Sequence, residues 1–329
     1  MILLKIKYRL LLFLKLFIFQ IGLGKYLLRN RYRERIIVFH GIDKTGETKY
    51  NSRFVSEKYF TQFIDFISKN YNIISLQDFY DKKFKPNTLN IAITFDDGYA
   101  NNFKYAIPIL EKYSIPATFF ITTIQDNNTN FLWPDFLDLV SFYSNQNSII
   151  FENQHYSKNH KGEFIYNGIS LKNRCKKLSW KEIQPLLNIF KDEWKIIQQQ
   201  PLNDYWELMN YNQIKEVAKK PLFKIGSHGY THANLNSITF EEATLEVLKG
   251  KKVLESICEK PILDFAFPFG SYNSELINYS EKIGFKRILL VDYNTENEKN
   301  NPLLRNRFVI NPHINFKMQL VYLLKGKYL

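Results

Sequence analysis

Two short runs of this chain hold side chains whose types and spacing suit metal-assisted acid–base chemistry. The first is Thr94-Phe95-Asp96-Asp97-Gly98-Tyr99, in which two adjacent carboxylates end an apolar stretch. Successive side chains on a strand point to opposite faces. Both acids therefore reach one site only if the strand stops there and the chain turns, which Gly98 permits. Such a pair is expensive to place without a cation or a reaction to use it. The plain alternative is a solvated turn in which Asp96 or Asp97 caps the next helix. The second run, Gly226 to His232, sets His228 and His232 four residues apart. On one helical turn both rings would face the same way. Neutral imidazole and carboxylate suit zinc or a similar divalent ion. The bland reading is two rings with local hydrogen bonds. The chain has only six His, and two of them fall together here, which favours ligation.

A third run, Phe265-Ala266-Phe267-Pro268-Phe269-Gly270, ends an apolar stretch in Pro-Phe-Gly. Pro stops the ladder and Gly allows a sharp exit, so the ring of Phe269 either walls a groove or fills a turn. His40 closes Arg35–His40, and His313 follows the stretch that carries Arg305 and Arg307.

These positions need strands that end on a common face. Apolar, β-branched or aromatic runs occur at Arg35–His40, Tyr71–Leu76, Asn90–Phe95, Ala117–Thr122, Phe223–Gly226, Leu263–Phe267, Arg287–Val291 and Arg307–Ile310. A helical pattern runs from Tyr99 to about Tyr113. Alternating strands and helices predict parallel strands with helices outside, in a closed or nearly closed barrel, with an open doubly wound sheet as competitor. His40, Asp96, Asp97, His228 and Pro268 all fall at strand ends, and barrels of parallel strands gather such residues on one face. Thr239-x-x-Glu242 and Ser179-x-x-Glu182 predict capping boxes, the second opening a helix through Leu186, Leu187 and Phe190. The stretch from about 125 to 221 holds all four Trp and reads as a mostly helical insertion.

Composition bounds the rest. With 329 residues, 45% hydrophobic and 23% charged, wholesale disorder is excluded. Two cysteines, Cys175 and Cys258, exclude a disulfide framework or a thiolate-only zinc finger and read as ordinary thiols. The net charge of +13 is uneven: residues 1–35 hold nine basic residues and one acid. There the charge is interleaved with apolar residues, from Leu10 to Gly24, rather than spread on a folded face as a nucleic-acid binder requires. That run is short for a spanning helix and lacks a small-x-small cleavage site after it. Residues 1–34 are expected to be a basic, apolar segment attached to a membrane surface, ahead of a barrel over 35–329. A cleaved signal or a helix packed on the protein itself are the other readings. Either the cytoplasmic face or the cell envelope suits it.

Together TFDDG at 94–98 and His-x-x-x-His at 228–232 resemble the polysaccharide deacetylases, the NodB homology domain or carbohydrate esterase family four. The phrases IIVFHGI, PATFFIT and FAFPFGSYN fit the same family, in the same order, over roughly Arg35 to His313 apart from the insertion. The resemblance implies a distorted β/α barrel and metal-dependent removal of N-acetyl groups from a polysaccharide or lipid-linked glycan. It implies Asp97, His228 and His232 as ligands of a divalent metal, most often zinc, and Asp96 as general base. The chain departs from the pattern in three ways. The Arg that steadies the base in many members is missing before Pro268, so Arg305 or Arg307 must replace it. The late His is a loose match, so His40 is preferred over His313 as general acid. The gap from Asp97 to His228 is long, and Trp133 within it is a candidate for sugar stacking. Tyr99, Pro268 and Phe269 complete the expected substrate side. The rivals are a degenerate glycan-binding protein and an O-acetyl esterase with the same site.

Overall fold

The computed structural model describes residues 34–328. The segment 1–33, with the expected membrane attachment, lies outside them; among the described residues no helix is long and apolar enough to cross a membrane.

Strand β1 (Glu34–Phe39) leads into a short parallel pair, β2 (Ile42–Asp43) and β3 (Val55–Ser56). The helix Glu57–Asn70 follows, its end capped by the Ser56 hydroxyl, and presents Phe60, Phe63, Ile64 and Ile67 to the core. Of the expected strand at Tyr71–Leu76 only β4 (Asn72–Ile73) forms, because Ser75 caps a helix at Leu76–Tyr80. A local capping bond wins there over the apolar run. Next come β5 (Asn90–Phe95) and β6 (Ala117–Ile121), joined by a π-helical turn at Asn102–Ala106 and the helix Ile107–Lys112. Then β7 (Ser148–Phe151), β8 (Gln154–Lys158), β9 (Phe164–Tyr166) and β10 (Ile169–Ser170) form an antiparallel sheet of their own. The chain returns through β11 (Phe223–Ser227), β12 (Asp264–Ala266), β13 (Arg287–Leu290), β14 (Leu304–Asn306) and β15 (Phe308–Val309).

The main sheet is parallel throughout, in the order β14-β13-β12-β11-β6-β5-β1-β15, with β4 on the lower half of β5. Its two ends, β14 and β15, are consecutive in the chain, so the sheet curls into the nearly closed barrel expected of the sequence. Two layers of apolar side chains follow from strand alternation. Ile36, Ala92, Phe120, Ala266 and Leu289 point inward and fill the barrel. Ile37, Phe39, Ile93, Phe95 and Phe119 point outward against the helices. In register, Phe39, Phe95 and Phe119 stack with ring centres 5.6 and 4.8 Å apart.

The segment between β6 and β11 has its own apolar core, built on Phe136, Leu137, Val140, Trp180, Phe190 and Trp194. It is less helical than expected, since β7–β10 occupy its middle. The helix expected from Ser179 to Phe190 is two pieces, Trp180–Ile183 and Pro185–Ile189, because Pro185 supplies no amide donor. Its last helix, Tyr211–Lys219, belongs to the barrel layer: Ile214 and Val217 join the main core. Both expected capping boxes form, at Ser179/Glu182 and Thr239/Glu242, and Asn210/Gln213 adds a third. Cys175 and Cys258 are free and buried.

Candidate metal centre and active site

The ladder carries Asp96 one residue past β5, where its amide donates to the Phe39 carbonyl at 3.0 Å. The next two residues both take positive φ, 77° at Asp97 and 86° at Gly98. That reversal brings two adjacent carboxylates to the same side of a strand end. Two strands along the sheet, the amide of His228 donates to the Ile121 carbonyl at the end of β6. The expectation of one helical turn for the two His is wrong. Gly229 (φ 80°) and His232 (φ 59°) fold the run into a tight non-helical loop instead. The rings still meet, with centres 5.2 Å apart.

Asp97, His228 and His232 converge: one ligand atom from each lies within 4.8 Å of the others, and all three residues are buried. Asp97 Oδ1 is 3.3 Å from His228 Nε2 and 3.1 Å from His232 Nε2. His228 Nδ1 lies 2.8 Å from the Ala266 carbonyl, which sets the tautomer with the proton there and the Nε2 lone pair facing inward. Neither oxygen of Asp97 accepts a well-formed hydrogen bond. A buried carboxylate whose Oδ1 faces two imidazole nitrogens is the donor set of a divalent-cation site with positions left over. The residues present thus fit the metal that the sequence implies.

Charge follows geometry. Burial works against the ionised form of Asp97, but Arg53 and the two imidazoles outweigh it and hold its carboxyl well below the usual range. Burial likewise opposes the charge on Asp96, and the Arg307 guanidinium overcomes it. Arg307 grips Asp96 with both nitrogens, at 2.6 and 2.7 Å, after reaching through the barrel interior across the ring of Phe120. Burial lowers the pKa of His228, yet the Asp96 and Asp97 carboxylates prevail and raise it; for His232 burial dominates and lowers it. Burial also pushes His40 down to about 4 against the attraction of Asp97 and Asp96.

The remaining expected residues divide. Arg307, not Arg305, pairs with Asp96: Arg305 lies over the Tyr80 ring and donates to the Asn301 and Leu304 carbonyls. His40 lies within electrostatic reach of Asp96, whereas His313 is exposed in the turn after β15. Tyr99 does not present its side chain to a substrate. It is fully buried and its hydroxyl donates to Asp135 at 2.6 Å. Trp133 offers no sugar-stacking face; it is 1% exposed and its indole N–H donates to the His232 carbonyl, so it pins the ligand loop. Pro268 is buried against that loop at Gly229. Phe269, at φ 58°, remains partly exposed with its ring 4.6 Å from His232 and walls the mouth.

Residues missed in the sequence complete the frame. Glu246, on the helix Phe240–Cys258, accepts from the amides of Tyr230 and Thr231 and from the Thr231 hydroxyl, and so clamps the His loop. Arg53, between β2 and β3, pairs with Asp97 Oδ2 at 3.2 Å. No spacing marks either of them. Only the fold brings them near.

A model of the family described as "Polysaccharide deacetylase" matches residues 83–163 and 192–288, more than half of the chain. The chain belongs to the polysaccharide deacetylase family. YxkH of Bacillus subtilis (strain 168), which carries the same family description, is 21% identical over 202 residues, 61% of this chain and 44% of its own length. The chain thus spans less than half of that curated relative. Among solved structures, the Streptococcus pyogenes deacetylase PplD in complex with acetate has a TM-score of 0.55 at 17% identity, covering 88% of this chain and 97% of that one. IcaB from Ammonifex degensii has a TM-score of 0.54 at 14% identity, covering 90% and 100%. These similarities establish the fold, a β/α barrel shared with deacetylases.

Proposed function

We propose that the protein is a zinc-dependent hydrolase that removes N-acetyl groups from a polysaccharide or a lipid-linked or envelope glycan. The observation that carries this reading is the buried Asp97–His228–His232 cluster with the Arg307-held Asp96 one residue away. When bound, the ion polarises the acetyl carbonyl and lowers the pKa of a water. Asp97, His228 and His232 would hold it. Asp96, kept ionised and oriented by Arg307, takes the proton of the attacking water. The backbone N–H near Tyr99 is the proposed partner of the developing oxyanion. Burial pushes the His40 pKa down to about 4, which favours a neutral imidazole and a proton supplied by Asp96 in this reading. The proton taken by Asp96 is therefore the one handed to the leaving nitrogen, directly or through His40. Phe269 offers the partly exposed ring for a sugar face.

The test is acetate release from N-acetylated and O-acetylated oligosaccharides by the full chain, with metal analysis of the same preparation. Zinc-dependent release from the N-acetylated set is expected. Equal turnover after complete metal removal sinks the reading, and exclusive release from the O-acetylated set replaces it with an esterase.

A further inference from the structure

The Arg53 side chain is 30% accessible, yet its head group is fully engaged. One nitrogen, Nη1, faces Asp97 Oδ2 at 3.2 Å. The other, Nη2, donates to Asp135 Oδ1 at 2.9 Å and to the Tyr99 hydroxyl at 2.8 Å. Asn51 closes the ring: its amide nitrogen donates to Asp135 Oδ1 at 2.9 Å, and its oxygen accepts from the Arg53 amide at 3.1 Å. Asp135 lies on the helix Trp133–Tyr143 of the inserted subdomain. The planar fork of one guanidinium thus spans the metal-site carboxylate and the insertion.

The two oxygens of Asp97 have separate neighbours. Oδ1 faces both imidazole nitrogens, and Oδ2 faces Arg53. An ion among the imidazoles meets Oδ1, while a cation already occupies the other side. We propose that Arg53 is a positioning residue of the metal centre, holding Asp97 to a single donor oxygen and coupling that carboxylate to the inserted subdomain through Asp135. The inference rests on the reading of Asp97, His228 and His232 as metal ligands. Two effects follow. Arg53 serves as counter-charge to Asp97 when no ion is bound and repels an ion that is bound, so it lowers the affinity of the centre. By keeping Oδ2 from the ion, it also preserves the open positions that water and the acetyl carbonyl need.

The signature is a split between affinity and turnover. Zinc affinity is measured on the full chain by competition with a chromophoric chelator, beside kcat and KM for acetate release. Arg53→Gln is expected to bind zinc about tenfold more tightly and to lose kcat by about tenfold or more. Arg53→Lys keeps the cation and should retain near-native affinity, with turnover between the two. Asp135→Asn leaves the charge of Arg53 uncompensated and should weaken zinc binding several-fold. A merely structural Arg53 would lower affinity and turnover together, and that result in Arg53→Gln overturns the proposal. Should that variant not fold, unchanged zinc affinity in Asp135→Asn together with unchanged turnover in Arg53→Lys overturns it equally. A wild-type chain without zinc affinity defeats the underlying metal reading itself, whereas normal wild-type affinity with unsplit variants defeats the role of Arg53 alone.

Discussion

Asp96 and Arg307 show how two charges share one buried place. The pair is bidentate and nearly solvent-free, with Arg307 5% exposed. Removing one partner strands the other, so Arg307→Met should cost about 3–5 kcal/mol in urea unfolding at pH 7. The kinetic sign is equally definite. Without Arg307, the largest influence opposing burial at Asp96 is lost and its pKa rises. The acid limb of kcat should then move to higher pH, a shift read from a pH–rate profile. Asp96→Asn should retain zinc while kcat falls by about 10²- to 10⁴-fold, the usual share of a general base. His313→Ala should leave kcat near wild type and His40→Ala should not, since only His40 lies in the field of the acid pair. The base pair was partly legible. The sequence named Arg305 and Arg307 together, and the choice between them depends on which strand edge faces the barrel axis.

At the scale of elements, the ligand loop depends on the helix behind it. Gly250 of the helix Phe240–Cys258 approaches so closely that a methyl group there would sit 2.7 Å from the backbone of Gly229. A helix ordinarily gains about 1 kcal/mol from Gly→Ala. Here Gly250→Ala should instead push the loop, lowering both thermal stability and zinc occupancy, as calorimetry and metal analysis would record. The insertion helix carries a pH dependence. Burial raises Asp135 to about 6 against the pull of Arg53, while in the unfolded chain it ionises near 3.8. Between those values the folded state holds a proton that the unfolded state does not, so stability declines as pH rises from about 4 to about 6. Asp135→Asn cannot ionise and should lack that decline. The stability difference between the two proteins should change by up to about 3 kcal/mol across the window, measured by urea titration. Most strands of the barrel were legible because each buried run is short, apolar and bounded, whereas β14 (Leu304–Asn306) falls outside every expected run. The insertion was less so: its sheet β7–β10 alternates weakly and its strands are two to five residues long.

For the whole molecule, the barrel places the ends of β1, β5, β11 and β12 around the Asp97–His228–His232 cluster, and the insertion packs on it through Trp133. If an ion binds the folded centre alone, free zinc at a hundredfold over its Kd adds about 2.7 kcal/mol to stability. Melting should therefore rise with zinc in the wild type and not in Asp97→Ala. Membrane attachment through residues 1–34 remains a proposal. Full-length protein should sediment with anionic vesicles, and a chain starting at Glu34 should not.

What the sequence determined by itself was the chemistry and the order of parts. Asp96-Asp97 before Gly98, the His228–His232 pair and the run of apolar strands specify a barrel and the candidate metal-binding side chains at its rim, because strand ends and residue types are local properties. Tertiary structure alone decided which distant side chains complete the site. It brought Arg307 to Asp96, aimed Arg53 at Asp97, set Glu246 under the His loop, and withdrew Trp133 and Tyr99 into the core. Those outcomes depend on strand pairing and side-chain direction across long separations, where one-residue differences reverse the face presented.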